Sequence, residues 1–465
     1  MKSHKRGTSK RRAGALLLAV VLGTGAVGTV VSVAFAGQRQ SSSKSASPQV
    51  GTVACADAGV ALNEVPESSQ EAVDKNLADL DVQVADAFSR LAAPAPGDNE
   101  KRVMDDLAGK RAETLKKLSD SAGPDSGLPK DLSGMARCTV RNDLVVQDAA
   151  KGFSADGMGG AVAETKAAAQ VKSLSKNKNG FVDIRNVSPN VSAPAKKGSA
   201  TGSFTSRCGR NENRHLNPDN VIVAPGVSNG AHHMHDYVGN VATDAFSSNA
   251  KLAASGTTCS NGDGSAYYWP VLRVFDGTNE KDAKAPGGGK DKNVGRILQP
   301  AEANITYTST VGNQVQPMKQ FLRILTGDAK AFTNGPANAH ASWSCTGFEN
   351  RQVVDKYPIC PKGSRVVRTL KFPDCWDGKN IDSANHRTHT AFSNASGACP
   401  KNFKVIPQLV ERVAYDVPAG VRFAVDSFPE QLHNPITDHG DFINNMSKNL
   451  QDQMVSCINQ GRRCG

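Results

Sequence analysis

The chain is poor in aromatic residues, which make up 5% of its 465 residues, and it has no Cys-x-x-Cys pair and no P-loop. The missing cysteine pair argues against zinc-ribbon and thioredoxin-type sites. The missing P-loop argues against a nucleotide site of that class. Only one long apolar run occurs, which excludes a multi-span membrane protein. All three Trp and all six Tyr lie at position 237 or later. The core and the chemistry are therefore expected in the C-terminal part.

The first 36 residues have the pattern of a secretion signal. A basic stretch precedes an apolar run over residues 13–35, and Ala34-Phe35-Ala36 fits the small-x-small cleavage rule. We expect cleavage after residue 36 and a secreted or cell-wall-associated protein. The alternative is an uncleaved membrane anchor, because a run of about 22 apolar residues can span a bilayer.

Net charge gives little support for a nucleic-acid partner. The formal charge is +11, but residues 1–36 carry six basic and no acidic residues, so +5 remains for the rest of the chain. That excess is spread over more than 400 residues, whereas nucleic-acid-binding proteins concentrate it. A mildly basic surface is compatible with an anionic cell-wall polymer or another extracellular polysaccharide as partner.

The ten cysteines agree with an oxidising compartment, where an even number is expected to pair. Cys55 and Cys138 are alone in the N-terminal half, and we predict that they pair with each other. The remaining eight cysteines allow 105 connectivities. The sequence does not choose among them.

Apolar periodicity divides the chain into regions. Apolar residues recur at three- and four-residue steps over residues 66–120, which predicts two helices with a break at Pro94. Beyond residue 202, short β-rich runs alternate with Gly, Asn, Asp and Pro clusters. The predicted fold class is a β-dominated (all-β or α+β), disulfide-stapled C-terminal domain, preceded by a small α-helical hairpin region. The predicted regions are a signal peptide (1–36), a disordered segment (37–54), a helical region (55–150), a linker (151–201) and the β-rich domain (202–465). The predicted strands include residues 220–223, 267–275, 305–311, 321–325, 366–372, 412–415 and 421–425, and a last helix is predicted at about 447–457.

Histidines are clustered in the β-rich region. His233 and His235 would share one face of a strand, because strand side chains alternate with period two. His386 and His389 would share a face on a helix or a tight turn. Neutral imidazoles are common ligands of divalent transition metals, so these four residues are the candidate metal ligands. A metal-free His/Asp site and a purely structural role are the alternatives.

Acidic and aromatic residues lie near these histidines. The candidate catalytic residues are Asp377, Asp382, His439 and Asp441, and the candidate substrate-binding residues are Trp376, Lys379, Asn380 and Tyr268. Paired carboxylates suit glycoside hydrolysis, and aromatic rings stack on sugars. The alternative for the aromatic residues is the hydrophobic core, where Trp and Tyr at strand spacing usually lie.

A Gly-x-Ser-x-Gly sequence occurs at residues 226–230. The nucleophile elbow of serine hydrolases needs a helix directly after the serine. Here Asn229 and Gly230 follow, and then a histidine-rich stretch. We therefore interpret this sequence as a loop.

The β-rich region resembles a known family, the secreted domain-of-unknown-function family nineteen ninety-six of filamentous fungi and actinomycetes. The resemblance covers about residues 220–457. The residues that carry it are Phe372-Pro373-Asp374-Cys375-Trp376-Asp377-Gly378-Lys379-Asn380, His386 and His389, Cys399-Pro400, Ile406-Pro407-Gln408-Leu409, His439-Gly440-Asp441-Phe442, Cys457, His233 and His235, and Tyr268-Trp269-Pro270.

The resemblance implies an extracellular protein and no established activity. One departure precedes the His-Gly-Asp-Phe motif, where the family often has a glycine-rich segment and this chain has residues 428–433. From the residues and the resemblance together we expect a cell-envelope or polysaccharide-directed protein with a His/Asp site, and a divalent transition metal is one of the two open interpretations of that site. A non-catalytic wall-binding or structural module is the alternative.

Overall fold

The computed structural model describes residues 51–142, 180–191 and 202–465. The predicted signal peptide lies outside the described residues, as do most of the predicted disordered segment and linker. None of the described helices combines the length and the apolar character needed to cross a membrane.

The N-terminal described region is a helical hairpin, as predicted. Its two long helices pack against each other through the apolar stripes that the sequence shows. The Asn99 side chain accepts a hydrogen bond from the Arg102 backbone at 2.9 Å, which fixes the start of the second long helix. The helices are α1 (Ala58–Ala61), α2 (Gln70–Ala92), α3 (Glu100–Ala122) and α4 (Ser133–Ala136).

A two-stranded sheet packs against the two long helices of the hairpin. Strand β1 (Thr52–Cys55) pairs antiparallel with β2 (Cys138–Arg141), and this register places Cys55 opposite Cys138. The predicted Cys55–Cys138 disulfide is present. Residues 52–54 were predicted to be disordered, and that prediction is wrong. Pairing with β2 satisfies their backbone groups, and Val53 is 1% exposed.

Short strands dominate the C-terminal region, and the predicted fold class is confirmed. The strands are β3 (Phe181–Asp183), β4 (Ser203–Ser206), β5 (Leu216–Asn217), β6 (His235–Gly239), β7 (Ala266–Pro270), β8 (Leu272–Val274), β9 (Arg296–Leu298), β10 (Glu302–Thr308), β11 (Arg323–Gly327), β12 (Ala341–Cys345), β13 (Tyr357–Ile359), β14 (Val366–Lys371), β15 (Cys375–Trp376), β16 (Thr390–Ala391), β17 (Lys404–Val405), β18 (Gln408–Tyr415), β19 (Phe423–Val425), β20 (His439–Ile443) and β21 (Arg463–Cys464). The helices are α5 (Asn249–Ala254), α6 (Ala331–Asn334) and α7 (Lys448–Asn459).

Two sheets organise this domain. A six-stranded sheet has the order β12-β14-β18-β10-β4-β21, and a five-stranded sheet has the order β11-β20-β7-β6-β5. Tyr267, Trp269 and Phe442 project from one face of the five-stranded sheet into the main core, where they join Leu370 and Val413 of the six-stranded sheet. Because strand side chains alternate, the neighbouring residues of β6, β7 and β20 lie on the opposite face. The candidate site is on that opposite face.

Four further disulfides crosslink the C-terminal domain. Each joins one cysteine to the next cysteine along the chain. They are Cys208–Cys259, Cys345–Cys360, Cys375–Cys399 and Cys457–Cys464. No disulfide of the described residues joins the hairpin to this domain. The two parts are therefore held together by non-covalent contacts and by the backbone.

Two further segment predictions were wrong. Residues 221–223 form a turn instead of a strand, because the Asn220 side chain accepts hydrogen bonds from the backbone of Ile222 and Val223 at 3.0 and 3.2 Å. Within the predicted linker, β3 pairs with β13. The Phe181 ring lies 5.3 Å from the Tyr357 ring, which anchors this segment in the domain.

Candidate metal centre

Three histidines converge at the end of the five-stranded sheet. His235 is the first residue of β6 and His439 is the first residue of β20, with β7 between the two strands. His233 lies two residues before β6. The side chains of His233, His235 and His439 are 1%, 0% and 7% exposed. The chain thus brings together residues that are 206 positions apart in the sequence.

The three Nε2 atoms point at one another. His233 Nε2 lies 3.1 Å from His235 Nε2 and 3.2 Å from His439 Nε2. Three nitrogens bound tetrahedrally to one Zn²⁺ at ~2.0–2.1 Å lie about 3.3 Å apart. Two of the three donor spacings therefore match those of a three-histidine metal centre, and all three ligand atoms lie within 4.8 Å of one another.

Backbone carbonyls orient two of the three rings. His235 Nδ1 donates to the Asp219 carbonyl at 3.0 Å, and His439 Nδ1 donates to the Thr437 carbonyl at 2.8 Å. Because a carbonyl only accepts, the proton is on Nδ1 and the Nε2 lone pair faces the cluster. This outer arrangement is typical of histidines that bind metals.

Burial keeps these imidazoles neutral. Burial lowers the pKa of His439 to about 4. Burial, together with the neighbouring rings, also lowers the pKa values of His233 and His235 well below the usual range. Neutral imidazole is the form that binds a metal, so the cluster needs no deprotonation near neutral pH. Among the described residues, the other close group of potential ligands is Cys208, Cys259 and Asp263, but those cysteines form a disulfide.

Asp441 and Tyr268 lie on the same face as the histidines. Asp441 is two residues after His439 and pairs across the ladder with Tyr268. The Tyr268 hydroxyl donates to Asn220 Oδ1 at 3.0 Å, and Asn220 Nδ2 lies 3.4 Å from Asp441 Oδ1. The Tyr268 ring is 5.3 Å from the His235 ring. Burial raises the pKa of Asp441 to about 7. A carboxyl group that can carry or release a proton near neutral pH therefore lies beside the cluster.

A buried ion pair holds the beginning of β20. The Arg368 guanidinium binds both carboxylate oxygens of Asp438, the residue before His439, and also donates to the Pro270 carbonyl at 2.6 Å. Pro270 pairs with His235 across the β6–β7 ladder. One guanidinium thus connects the strand ends that carry two of the three imidazoles.

The structure does not bring His386 and His389 into the cluster, in contrast to the predicted ligand set. His386 Nδ1 lies 3.1 Å from both oxygens of Asp382, and its Nε2 lies 3.5 Å from Asp74 Oδ1. Burial opposes the charge of His386, but the two carboxylates outweigh burial and raise its pKa to about 10. Protonated imidazole is not a metal ligand. His389 uses both ring nitrogens, at 2.9 Å to Ser383 Oγ and 2.7 Å to the Arg323 carbonyl.

The other predicted catalytic and binding residues around position 380 shape a turn. Asp377 accepts backbone hydrogen bonds from Lys379 and Asn380 at 2.8 and 2.9 Å. The Trp376 ring nitrogen donates to the Asn380 carbonyl at 2.6 Å, and the Lys404 ammonium lies 5.9 Å from the ring centroid. Trp376 is 8% exposed. Its ring is therefore not an open surface on which a sugar could stack.

The residues beside the cluster that sequence reasoning missed are His232, Asp291 and Phe428. His232 has a positive φ of 54°, and its Nδ1 lies 2.8 Å from Asp291 Oδ1. The rings of His232 and His233 each lie 5.6 Å from the Phe428 ring. His232 is adjacent to a predicted ligand, and Phe428 lies in the segment that departs from the family pattern. These two sequence features could have pointed to His232 and Phe428 as neighbours of the site.

Comparison with families supports the resemblance found in the sequence. Residues 220–445 match the family model described as Domain of unknown function (DUF1996). This range contains all three histidines of the cluster as well as Asp441, Arg368 and Asp438. The comparisons with curated proteins and with solved structures found no match. From residue 220 to residue 445, the chain is therefore similar to this family of unknown function.

Proposed function

We propose that the protein is an extracellular metal-dependent enzyme that acts on a polymer of the cell envelope or on another extracellular polysaccharide. The observation that carries the proposal is the convergence of three buried imidazoles, in which His233 Nε2 lies 3.1 Å from His235 Nε2 and 3.2 Å from His439 Nε2. His233, His235 and His439 would hold one divalent transition metal. Asp441 is the proposed acid/base group.

The donor set favours catalysis over a closed structural site. Structural zinc sites have four protein ligands, whereas catalytic sites commonly have three and leave one position for water or substrate. Three histidines form the group here. A metal held by these three histidines would supply the Lewis-acid chemistry that activates water for hydrolysis.

The choice of substrate and location rests on the sequence and on the disulfides. The basic stretch and apolar run before residue 36 are typical of export. Five disulfides are compatible with an oxidising compartment. The residual charge of +5 after residue 36 is compatible with an anionic cell-wall polymer, and its spread over more than 400 residues argues against nucleic acid.

A second candidate function is a non-catalytic wall-binding module. It is favoured by the burial of the histidines, none of which is more than 7% exposed. In that case the metal would stabilise the fold without contacting a substrate.

The first experiment is elemental analysis of the full chain, produced by an oxidising export route without a histidine tag. We expect about one transition metal per chain, as three converging imidazoles imply. A His439→Gln variant should lose the metal. The matched control is His433→Gln, because His433 is also buried but directs its ring nitrogens to the Val425 and Lys292 carbonyls.

Two outcomes would contradict the proposed metal site. One is the absence of metal after incubation with zinc, copper, nickel, iron and manganese salts. The other is equal metal content in folded His439→Gln and His433→Gln proteins. If metal is bound, release of soluble sugar from purified cell walls, with and without chelator, separates the enzyme from the binding module.

A further inference from the structure

The helical hairpin packs on the segment that carries Phe428, whose ring contacts His233 of the histidine cluster. We refer to residues 51–142 as the cap. The cap lies outside residues 220–445, the part that matches the family model. It packs on three segments of the C-terminal domain, residues 330–334, residues 384–386 and residues 428–432.

The first contact fixes the segment that carries Phe428. The Thr52 hydroxyl donates to the Glu430 carbonyl. Leu432 packs against the apolar cluster formed by Val84, Phe88 and other residues of the cap. The segment is thus attached to the cap at two points.

Phe428 is the direct cover of the cluster. Its ring lies 5.6 Å from the His233 ring, and the Lys330 ammonium lies 5.9 Å from the Phe428 ring. Lys330 in turn binds two carboxylates of the cap, Asp81 at 2.7 Å and Asp57 at 3.6 Å. The cap does not touch the imidazoles itself. It binds Lys330, which contacts the Phe428 ring, and Phe428 contacts the His233 ring.

The second contact is on the loop that follows Asp382. Ala384 is buried in the apolar cluster between α2 and α3. The Asn385 side chain donates to the Leu62 carbonyl at 3.1 Å, and His386 Nε2 lies 3.5 Å from Asp74 Oδ1. The next residue, Arg387, donates to the carbonyl of Gly327, which pairs with His439. This loop therefore connects the cap to the strand pair that carries the third imidazole.

Two features favour release of the cap from the C-terminal domain. No disulfide of the described residues crosses from the cap to the domain. Leu432 has a positive φ of 55°, a conformation that is unfavourable for a leucine and that persists only where packing imposes it. Departure of the cap would remove that packing and free residues 428–432 to move.

We propose that the cap is an autoinhibitory module, whose only covalent link to the domain among the described disulfides and backbone is the backbone, and that its departure opens the histidine cluster to a polymeric ligand. This inference rests on the proposed function, because a cap is inhibitory only if the cluster is active. The test is independent of that function, because the accessibility of the imidazoles can be measured without metal. Failure of metal binding and failure of the cap to open are therefore separate results.

The experiment uses the full chain with a site-specific protease sequence inserted between Gly159 and Gly160. Chelator-treated protein is modified with diethyl pyrocarbonate before and after cutting, and the modification of His233 and His439 is followed by peptide mass spectrometry. The cut cap is removed by size-exclusion chromatography without denaturant. We expect modification to become at least about tenfold faster after removal, as for a site that opens from a protected state.

A variant of the uncut chain provides the second measurement. Asp81→Asn removes the shorter of the two Lys330 ion pairs, and we expect faster modification of His233. Asp86→Asn is the matched control, because Asp86 lies on the same helix but pairs with Lys110 of the cap itself. Equal rates in these two variants would contradict the inference. So would a cap that stays bound after cutting, a domain that unfolds without it, or an unchanged rate after removal.

Discussion

Arg368 and Asp438 form an ion pair in which both side chains are 0% exposed. Asp438 is the residue directly before His439. The Arg368 guanidinium also lies 5.3 Å from the Trp343 ring centroid and donates to the Pro270 carbonyl. It therefore has partners on three sides. A buried charge is tolerated only with such partners, because its desolvation is costly.

Replacement of Arg368 by glutamine should destabilise the domain strongly. Asp438 would then be a buried carboxylate without its partner, which typically costs about 3–5 kcal/mol. The measurement is urea unfolding of metal-free protein. Arg412→Gln is the control, since Arg412 lies on the neighbouring strand with a half-exposed ion pair, and we expect a loss of at most about 1 kcal/mol there. Similar losses in the two variants would contradict this account.

Acid should destabilise metal-free protein through its buried neutral histidines. Burial lowers the pKa of His433 to about 4 from an ordinary value of 6.5. The unfolded chain therefore binds a proton first as the pH falls, and the free energy of unfolding decreases from pH 6.5 towards pH 4. Replacement by glutamine should remove up to about 3 kcal/mol of this pH dependence. The measurement is a series of unfolding curves between pH 7 and pH 4, and identical slopes in parent and variant would refute the assignment.

Alkali should weaken the contact between the cap and the domain. Burial opposes the charge of His386, but Asp382 and Asp74 raise its pKa to about 10. A raised pKa gives stability that is complete below pH 6.5 and is lost as the pH rises through 10. The protection factors of the α2 amides, taken relative to the intrinsic exchange rate at each pH, should therefore fall over this range in the parent and change less in His386→Gln. His389→Gln is the comparison, because burial lowers the pKa of His389, and this variant should keep the alkaline effect of the parent.

The disulfide that closes the longest loop should stabilise the protein more than the disulfide that closes the shortest loop. Cys55 and Cys138 are 83 residues apart, whereas Cys457 and Cys464 are 7 apart. In the chain-entropy model the long loop contributes about 4–5 kcal/mol and the short one about 2–3 kcal/mol. Double alanine variants of each pair, compared by unfolding of the hairpin and of the domain, test this. A larger loss from the short loop would contradict the model.

The fold class and the hairpin followed from local patterns, because helical periodicity and turn signals depend on neighbouring residues. The Cys55–Cys138 pairing followed from isolation of those two cysteines in the sequence. Residues 220–223 were misread because an apolar run has the same pattern in a buried turn as in a strand. The side chain of Asn220 decides between the two by capping the backbone.

For the site, His233 and His235 were predicted as a pair because their spacing is local. The third member was assigned to catalysis instead, since strand order determines which distant residue joins the pair. His386 and His389 resemble ligands in sequence, but Asp74 lies 312 positions before His386 in a different region, and no spacing rule predicts that contact. Long-range register is the information that a single sequence lacks.

The distance in sequence between His233 and His439 has a consequence for the order of events during synthesis. The two residues are 206 positions apart, and His439 begins the strand that lies between β7 and β11. A growing chain therefore has no third imidazole until nearly all of the domain has been made and β20 has inserted. Metal uptake would accordingly report the completion of folding, and a partly folded chain would be distinguishable by its failure to retain the ion.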